Sequence, residues 1–433
     1  MTPIWLILYN SLIVPLLVAG FYAGSLFNAK MREGRRSRRN QFKLIRAEIV
    51  KTKPARKRIL FHCTSAGEWL QALPIIEKMK ALNPELYIMV SFFSPSGFKF
   101  AKNPVEVDLK LYLPLDTSCA ARRLFKLLKP NCWIISKFDV WPNHVIEASK
   151  LNIPIIITSA TLSPDSGRDK GISRLFNKAI YSRISHFFPI SEEDKKRFQA
   201  LVPDESKFTI AGDTRYDHVY NRGQKAMDAG DVRIFNEKKG FTIIAGSTWP
   251  ADEKHILPAM AKLLIDFTDI QIIVVPHELH ESHLREIESV FVRQGIECQR
   301  YTDFSGTGGT NARVVIFNTI GMLARLYKQT DIAFIGGSFG KGTHNVMEPA
   351  IFGQPVLFGP NYLNSHEAGE LLNIGAAFRI ANEQEFYDKV SLLIIDSLLR
   401  NTMGEKAKGL IQKNKGATAI IINKLDEQYG IIS

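Results

Sequence analysis

The sequence predicts an α/β protein: two doubly wound, Rossmann-like domains preceded by one transmembrane helix. Three observations predict it. From residue 59 onward short apolar runs alternate with helical stretches, as buried parallel strands joined by crossover helices do. A polar interval at 221–240 divides that alternation into two halves, and residues 3–27 contain no charged side chain. At 433 residues the chain is long enough for two α/β domains, each with its own core.

Taken in order, the first half has expected strands at 59–62, 86–91, 109–115, 132–136, 153–159, 187–190 and 208–211. Helical stretches such as 68–82 and 120–129 lie between them. After the polar interval the expected strands are 241–245, 270–275, 314–317, 332–335 and 356–358. From Glu405 the pattern becomes that of an amphipathic helix, expected to pack back on the first domain. The boundaries read as 1–29 for the anchor, 30–58 for a basic juxtamembrane segment and 59–222 for the first domain. A linker at 223–240, a second domain at 241–404 and a helical tail at 405–433 follow.

The 25 uncharged positions at the start span roughly 37 Å as a helix, against ~30 Å of bilayer hydrocarbon. Trp5, Tyr9 and Tyr22 lie toward the two ends, where interfacial aromatics belong, and Pro15 is tolerated in a membrane helix. A cleaved signal peptide would carry its positive charge before the apolar stretch and have a shorter core. Here the charge comes after. Residues 1–58 hold 13 of the 56 Lys and Arg but only 2 of the 43 Asp and Glu, so +11 of the net +13 sits there. The rest of the chain is close to neutral. Lys30, Arg32, Arg35, Arg36, Arg38 and Arg39 directly follow the apolar segment, which keeps the downstream domains on the cytoplasmic side. Each such cation near an anionic leaflet contributes about 1 kcal/mol. The high pI therefore points to a membrane surface as partner and away from nucleic acid.

The stretch at 331–360 carries the strongest local signal. An apolar run ends at Ile335, a glycine-rich turn follows with Gly336, Gly337 and Ser338, and a helix is expected from near His344. Such a turn brings backbone N–H groups close to an anion, and a helix start favours a phosphate. Glu348, one turn into that helix, is placed to accept hydrogen bonds from a sugar's vicinal hydroxyls. An ordinary βαβ crossover with a flexible turn gives the same pattern. Two nucleotide motifs are excluded: Lys341 is followed by Gly342, which breaks the P-loop, and G-x-G-x-x-G is not met. Cys63, Cys119, Cys132 and Cys298 form no C-x-x-C pair and read as reduced thiols. In the run from His277 to His283 the first two histidines are three apart, where a zincin helix needs four, so no metal is expected. Ligands of open α/β sheets sit beyond the carboxyl ends of strands, which singles out 63–68, 137–141, 159–162, 212–215, 246–249, 276–280, 318–322 and 336–348.

At these loops the chain resembles a known family, the membrane-anchored Kdo (3-deoxy-D-manno-octulosonic acid) transferases of Gram-negative lipopolysaccharide assembly. The resemblance runs through His62-Cys-Thr-Ser-Ala-Gly-Glu68, Trp141-Pro142-Asn143 and Gly212-Asp-Thr-Arg-Tyr-Asp217. It continues through Ala245-Gly-Ser-Thr-Trp249, Pro276-His277, Gly336-Gly-Ser338 and His344-Asn-Val-Met-Glu-Pro349. It covers nearly the whole chain. It implies an inverting glycosyltransferase of the glycosyltransferase-B architecture, with the two domains facing across a cleft, at the inner membrane. CMP-Kdo is the implied donor and a lipid A precursor the implied acceptor. With a single donor phosphate to neutralise, no metal or other cofactor is called for.

The same resemblance implies residue roles. Glu68 matches the family's catalytic base. In its own right it follows Gly67 at a strand's end, in the first turn of a helix, where the dipole favours carboxylate over acid; a helix-start glutamate with no other role reads the same way. Asp139 takes the place of the second acid of Glu-Thr-Glu-Leu-Trp-Pro, although Lys137 stands where the first acid belongs. Arg215 takes the place of a lysine and offers a fork of donors to the Kdo carboxylate or the leaving phosphate. CMP binding maps onto Pro276 and His277, onto Ile320, Gly321 and Met322, and onto Asn345, Val346, Met347 and Glu348. Position 277 is usually arginine in the family, so a histidine there moves the load of the phosphate toward the helix start at 344. Two other readings fit the sequence. One is a UDP-sugar epimerase of the same two-domain build; the other is a non-catalytic membrane scaffold.

Overall fold

A computed structural model describes residues 4–51, 57–101, 106–163, 166–168, 171–306 and 308–432. Pro3 of the expected anchor and Lys53 and Arg56 of the basic segment lie outside the described residues. The chain forms two compact units, Met1–His218 with Lys415–Ser433, and Val219–Asn414.

In the first unit β1 (Arg58–Cys63), β2 (Tyr87–Phe92), β3 (Leu109–Tyr112), β4 (Cys132–Ser136), β5 (Ile155–Ala160) and β6 (His186–Pro189) form one sheet, ordered β3-β2-β1-β4-β5-β6. Every pairing is parallel. Both faces are covered, which is why the strands read as unbroken apolar runs. Leu60, Trp133 and Ile135 enter one core cluster, and Ile59, Phe61, Ile134 and Ile156 enter the other. The helix Ala66–Leu82 buries Trp69, Ala72, Ile75, Ile76 and Met79 at helical spacing. Ile421, Ile422 and Leu425 of the helix Ala417–Tyr429 share that cluster. The Asp217 carboxylate fixes this last helix by accepting the N–H groups of Gly416 and Thr418, both at 2.6 Å. The returning tail therefore begins at Lys415, not at Glu405, and the helix Ser397–Asn414 stays with the second unit. The run at 208–211 is not a strand; Phe208 makes one isolated bridge to Phe187.

The second unit contains β7 (Phe241–Thr248), β8 (Ile270–Pro276), β9 (Cys298–Arg300), β10 (Val314–Ile316), β11 (Ile332–Ile335), β12 (Val356–Phe358) and β13 (Ala377–Arg379). They pair in the order β13-β12-β11-β7-β8-β10-β9. The expected linker is in part helical, because Thr214–Asp228 is one helix.

Sheet order decides where sites form. In the first sheet the winding reverses at β1 and β4, and in the second at β7 and β11. The carboxyl ends of those strand pairs are the crevices where open α/β sheets hold ligands.

The amino-terminal helix is not a free-standing rod. It runs Ile4–Leu8, widens into a π turn at Tyr9–Ile13 and continues as Val14–Phe27. Pro15 has no N–H to give the preceding turn, and the N–H of Val14 bonds to Tyr9 O instead, which widens the coil locally. The π turn carries Tyr9 and Asn10 into the first unit. The Tyr9 hydroxyl donates to Asp116 at 2.7 Å, and Asn143 Nδ2 donates to Asn10 Oδ1 at 2.9 Å. Trp5 packs edge-on against Phe176 at 5.0 Å. Toward the other end Arg38 lies 5.7 Å from the Phe21 ring and donates to the carbonyls of Leu113 and Phe93. The outer face, with Ile4, Leu8, Leu12 and Leu16, stays exposed.

Candidate functional site

In the first unit, Glu68 and Asp139 leave the carboxyl ends of the adjacent strands β1 and β4, at the winding reversal. Glu68 stands three residues past Ser65, the residue that caps the helix Ala66–Leu82. Its Oε2 accepts the N–H groups of Thr64 at 2.5 Å and Ser65 at 2.9 Å. Asp139 follows Lys137, which sits in the left-handed region at φ 71° and turns the chain sharply at the end of β4. Asp139 Oδ2 then accepts from the Thr64 hydroxyl and from Trp141 Nε1 at 3.1 Å, and faces His62 Nε2 at 3.4 Å. His62 is fully buried in β1, with its other nitrogen 3.0 Å from Ser91 Oγ.

The environment drives the two carboxyls apart. Burial raises Glu68 above its ordinary range, and the Asp139 charge adds to that against the opposing Ser65 and Thr64 N–H groups and His62. Burial would also raise Asp139, but His62, Thr64 and Trp141 outweigh it and hold the group below its usual value. A pair separated in this way has one member that stays ionised and one suited to exchanging a proton. This corrects one expectation: the helix start does not leave Glu68 a strengthened carboxylate, because desolvation exceeds the local donors. Sequence reasoning assigned no role to His62 or Thr64. Both lie in the motif that carries the resemblance, and their polarity at the end of a buried strand was the available signal.

Arg215 joins this region indirectly. Its Nε and Nη2 donate to Asp213 at 2.9 and 2.7 Å. Asp213 also accepts from Gln71 Nε2 at 3.0 Å, and the Thr214 hydroxyl donates to Gln71 O at 2.7 Å. Gln71 is one turn beyond Glu68 on the same helix. The cation expected to stand open to substrate is thus oriented by a carboxylate partner.

In the second unit, three rings from three loops stack together. His277, after β8, lies 4.5 Å from Trp249, which follows β7, and 4.7 Å from His344, which follows β11. Trp249 Nε1 donates to His344 Nε2 at 2.9 Å. Burial lowers the His344 pKa, and the neighbouring His277 lowers it further. The neutral ring that results suits an acceptor nitrogen. Trp249 and His344 lie in stretches that carry the resemblance, and the sequence alone gives their side chains no role.

The glycine turn differs from its expected form. Gly337 has φ +88°, and a Cβ there would stand 2.4 Å from Gly342 O, so only glycine fits. Its N–H and that of Phe339 are occupied: the buried Asp252 carboxylate accepts both, at 2.7 and 2.9 Å. Gly336 N–H bonds to Gly246 O at 2.9 Å, while Ser338 Oγ donates to Ile335 O and accepts from Gly359 N–H. The turn is a cradle already filled by an internal anion, which corrects the phosphate-loop expectation for Gly336, Gly337 and Ser338. The expected helix at 344 is a single turn, Met347–Ala350, too short for an appreciable dipole.

Glu348 sits in that turn. Arg222 Nη1 donates to its Oε1 at 2.6 Å and Asn345 Nδ2 approaches the same oxygen at 3.4 Å. Burial raises its pKa while Arg222 opposes the rise. Among the described residues its Oε2 takes no hydrogen bond. No motif announced Arg222. The side chains of Val346 and Met347 are buried, so they present only backbone. Ile320 is 87% exposed beside Gly321 and Met322, and among the described residues no hydrogen bond or ring contact joins 320–322 to the ring stack. His283 is held between Glu253 at 2.7 Å and the Glu278 carbonyl at 3.0 Å. Among the described residues no group of three or more His, Cys, Asp or Glu converges as a metal site would.

Comparison with known proteins bears on both units. Residues 34–218 match the family described as 3-deoxy-D-manno-octulosonic-acid transferase (kdotransferase). The 3-deoxy-D-manno-octulosonic acid transferase of Haemophilus influenzae is 24% identical over 376 residues, covering 86% of this chain and 87% of that protein. That of Chlamydophila psittaci is 26% identical over 361 residues, covering 82% and 79%. Among solved structures, Acinetobacter baumannii MurG aligns with a TM-score of 0.54 at 13% identity, over 86% of this chain and all (100%) of that one. The UDP-GlcNAc 2-epimerase of Neisseria meningitidis bound to UDP-GlcNAc gives 0.58 at 14%, over 86% and 100%. At such identities these two show the fold alone, so they do not separate an epimerase from a transferase; the sequence relatives do. Residues 34–218 match that family, and such transferases align with more than four-fifths of the chain at 24–26% identity, so the comparisons support a 3-deoxy-D-manno-octulosonic acid transferase.

Proposed function

We propose that this enzyme transfers Kdo from CMP-Kdo to a lipid A precursor with inversion and release of CMP, at the cytoplasmic face of the inner membrane. The observation that carries the reading is the split carboxyl pair, Glu68 raised beside an ionised Asp139 at the β1/β4 crevice. Glu68 takes the proton of an acceptor hydroxyl. The freed oxygen attacks the anomeric carbon of Kdo while the bond to the CMP phosphate breaks, and its electron pair leaves with CMP. Burial, with the charge of Asp139 adding to it, keeps Glu68 a stronger base than a free carboxylate, while His62, Thr64 and Trp141 hold Asp139 ionised. Arg215, aimed by Asp213, takes the Kdo carboxylate or the departing phosphate. The donor nucleotide uses the second unit: Pro276 and the exposed His277, the loop 320–322, and Asn345 through Glu348, whose Oε2 accepts ribose hydroxyls. Transfer assayed as CMP release from CMP-Kdo, with and without lipid A precursor, tests the reading. Acceptor-dependent release supports it, whereas an epimerase or a scaffold gives none.

Two predictions follow from this assignment. In Asp139→Asn the negative neighbour of Glu68 is gone, so the Glu68 pKa falls. The ionised base then persists to lower pH: the acid limb of the kcat/KM profile moves down, and the plateau rate drops because the base is weaker. An unmoved acid limb assigns that limb to another group.

The second concerns attachment. The apolar outer face of the helix Ile4–Phe27 and the cations that follow it support binding to an anionic bilayer. Deleting residues 1–28 is expected to abolish sedimentation with membranes at high salt and to leave salt-sensitive binding to anionic vesicles through 29–58. The melting temperature falls as well, because Asp116 loses Tyr9 and Phe176 loses Trp5. Unchanged sedimentation at high salt places the anchor elsewhere.

A further inference from the structure

Between the amino-terminal helix and the body of the first unit lies an apolar cavity of 340 Å³. Leu17 and Gly20 of the helix form one wall; Phe93, Leu115 and Trp141 form the other. Trp141 ties this cavity to the chemistry. Its ring stacks on Phe93 at 4.9 Å, and its Nε1 is the donor to Asp139 at 3.1 Å. The apolar space and the acid pair therefore share a side chain. A second, wider space of 810 Å³ adjoins the first across Val18, Phe21 and Leu115 and is lined by Arg35, Arg36 and Arg39. Among the described residues none of these three arginines has a carboxylate partner. One region thus holds a slot for a hydrocarbon chain, a cluster of cations that no described carboxylate neutralises and, through Trp141, the acid pair.

We propose that the acceptor lipid itself occupies both spaces, with an acyl chain in the cavity walled by Leu17, Gly20 and Trp141 and a phosphate on Arg35, Arg36 and Arg39. The proposal rests on the transferase reading and deepens it. The amino-terminal helix becomes part of the acceptor site as well as an anchor. Charge complementarity selects the occupant: an apolar chain alone has no use for the arginines, and a soluble phosphate none for the cavity. A substrate chain gripped there fixes the headgroup hydroxyl in register with Glu68, which is how remote binding serves positioning.

Gly20 provides the test. Gly20 lines the cavity and a Cβ there would meet no heavy atom within 4 Å, so Gly20→Phe adds a ring at this wall from an open position. Binding of an acylated lipid A precursor to the full chain is measured in detergent micelles without donor, next to the same headgroup stripped of its acyl chains. Each displaced methylene weakens binding about fourfold, so Gly20→Phe is expected to weaken the acylated ligand at least tenfold and leave the stripped one unchanged. A triple Arg35→Ala, Arg36→Ala, Arg39→Ala variant is expected to weaken both and to lose the salt dependence of binding. Equal losses for the two ligands in Gly20→Phe, or no loss, overturn the proposal. So does a loss for the acylated ligand that added anionic phospholipid reproduces by competition in the wild type, since the cavity is then a general lipid slot. Transfer is read separately. Discriminating binding without Kdo transfer by the wild type removes the transferase reading and leaves the lipid site standing.

Discussion

Glu68→Gln is expected to fold, to bind CMP as the unaltered enzyme does, and to transfer Kdo about 10²–10⁴ times more slowly. The amide oxygen still accepts the N–H groups of Thr64 and Ser65, so the helix start keeps its cap. What the amide cannot do is take the acceptor's proton. The loss corresponds to about 3–5.5 kcal/mol of transition-state stabilisation. A glutamate that only capped the helix would lose about 0.3–1 kcal/mol of stability and little turnover. Those ranges hardly overlap, so one comparison of melting temperature and single-turnover rate separates the roles. A variant with a lowered melting temperature and near-normal transfer removes Glu68 from the mechanism.

Glu348→Ala is expected to act on the donor instead. Loss of a hydrogen bond from a ribose hydroxyl to a charged acceptor costs about 1.5–3 kcal/mol, so the donor KM rises roughly 10–150-fold. The CMP affinity measured by calorimetry falls in parallel while kcat changes little. Arg222→Ala approaches the same site from the other side. Without the cation that opposes burial, the Glu348 carboxyl rises further and donor affinity becomes weaker as pH falls. Unchanged CMP affinity in Glu348→Ala moves the nucleotide away from this turn.

The sequence made the two parallel sheets legible because strands buried on both faces read as apolar runs whatever else surrounds them. It failed at the edges. Cys298–Arg300 and Ala377–Arg379 are three-residue edge strands, and the first includes Gln299 and Arg300, so no run marks them. The run at 208–211 is apolar for packing, not for pairing. At the site, Glu68 and Asp139 were legible through motif and position, since both follow strands at the winding reversal. Their electrostatics were not, because desolvation depends on what covers a residue. The glycine turn misled for a related reason: its conformation suits an anion, and the anion is Asp252, 85 positions earlier in the chain. Tyr9 and Asn10 were read as parts of an uncharged segment; their bonds to Asp116 and Asn143 join residues more than a hundred positions apart, beyond the reach of periodicity.

If the proposed reaction is right, acceptor hydroxyl and donor sugar become one product. Mass spectrometry of the lipid, after incubation of the purified full chain with CMP-Kdo and lipid A precursor, tests it most directly. The expected product is a lipid heavier by whole Kdo units with one CMP released for each, and an almost unaltered lipid when Glu68→Gln replaces the native enzyme for the same time. Consumption of CMP-Kdo with no gain of mass in the lipid contradicts it.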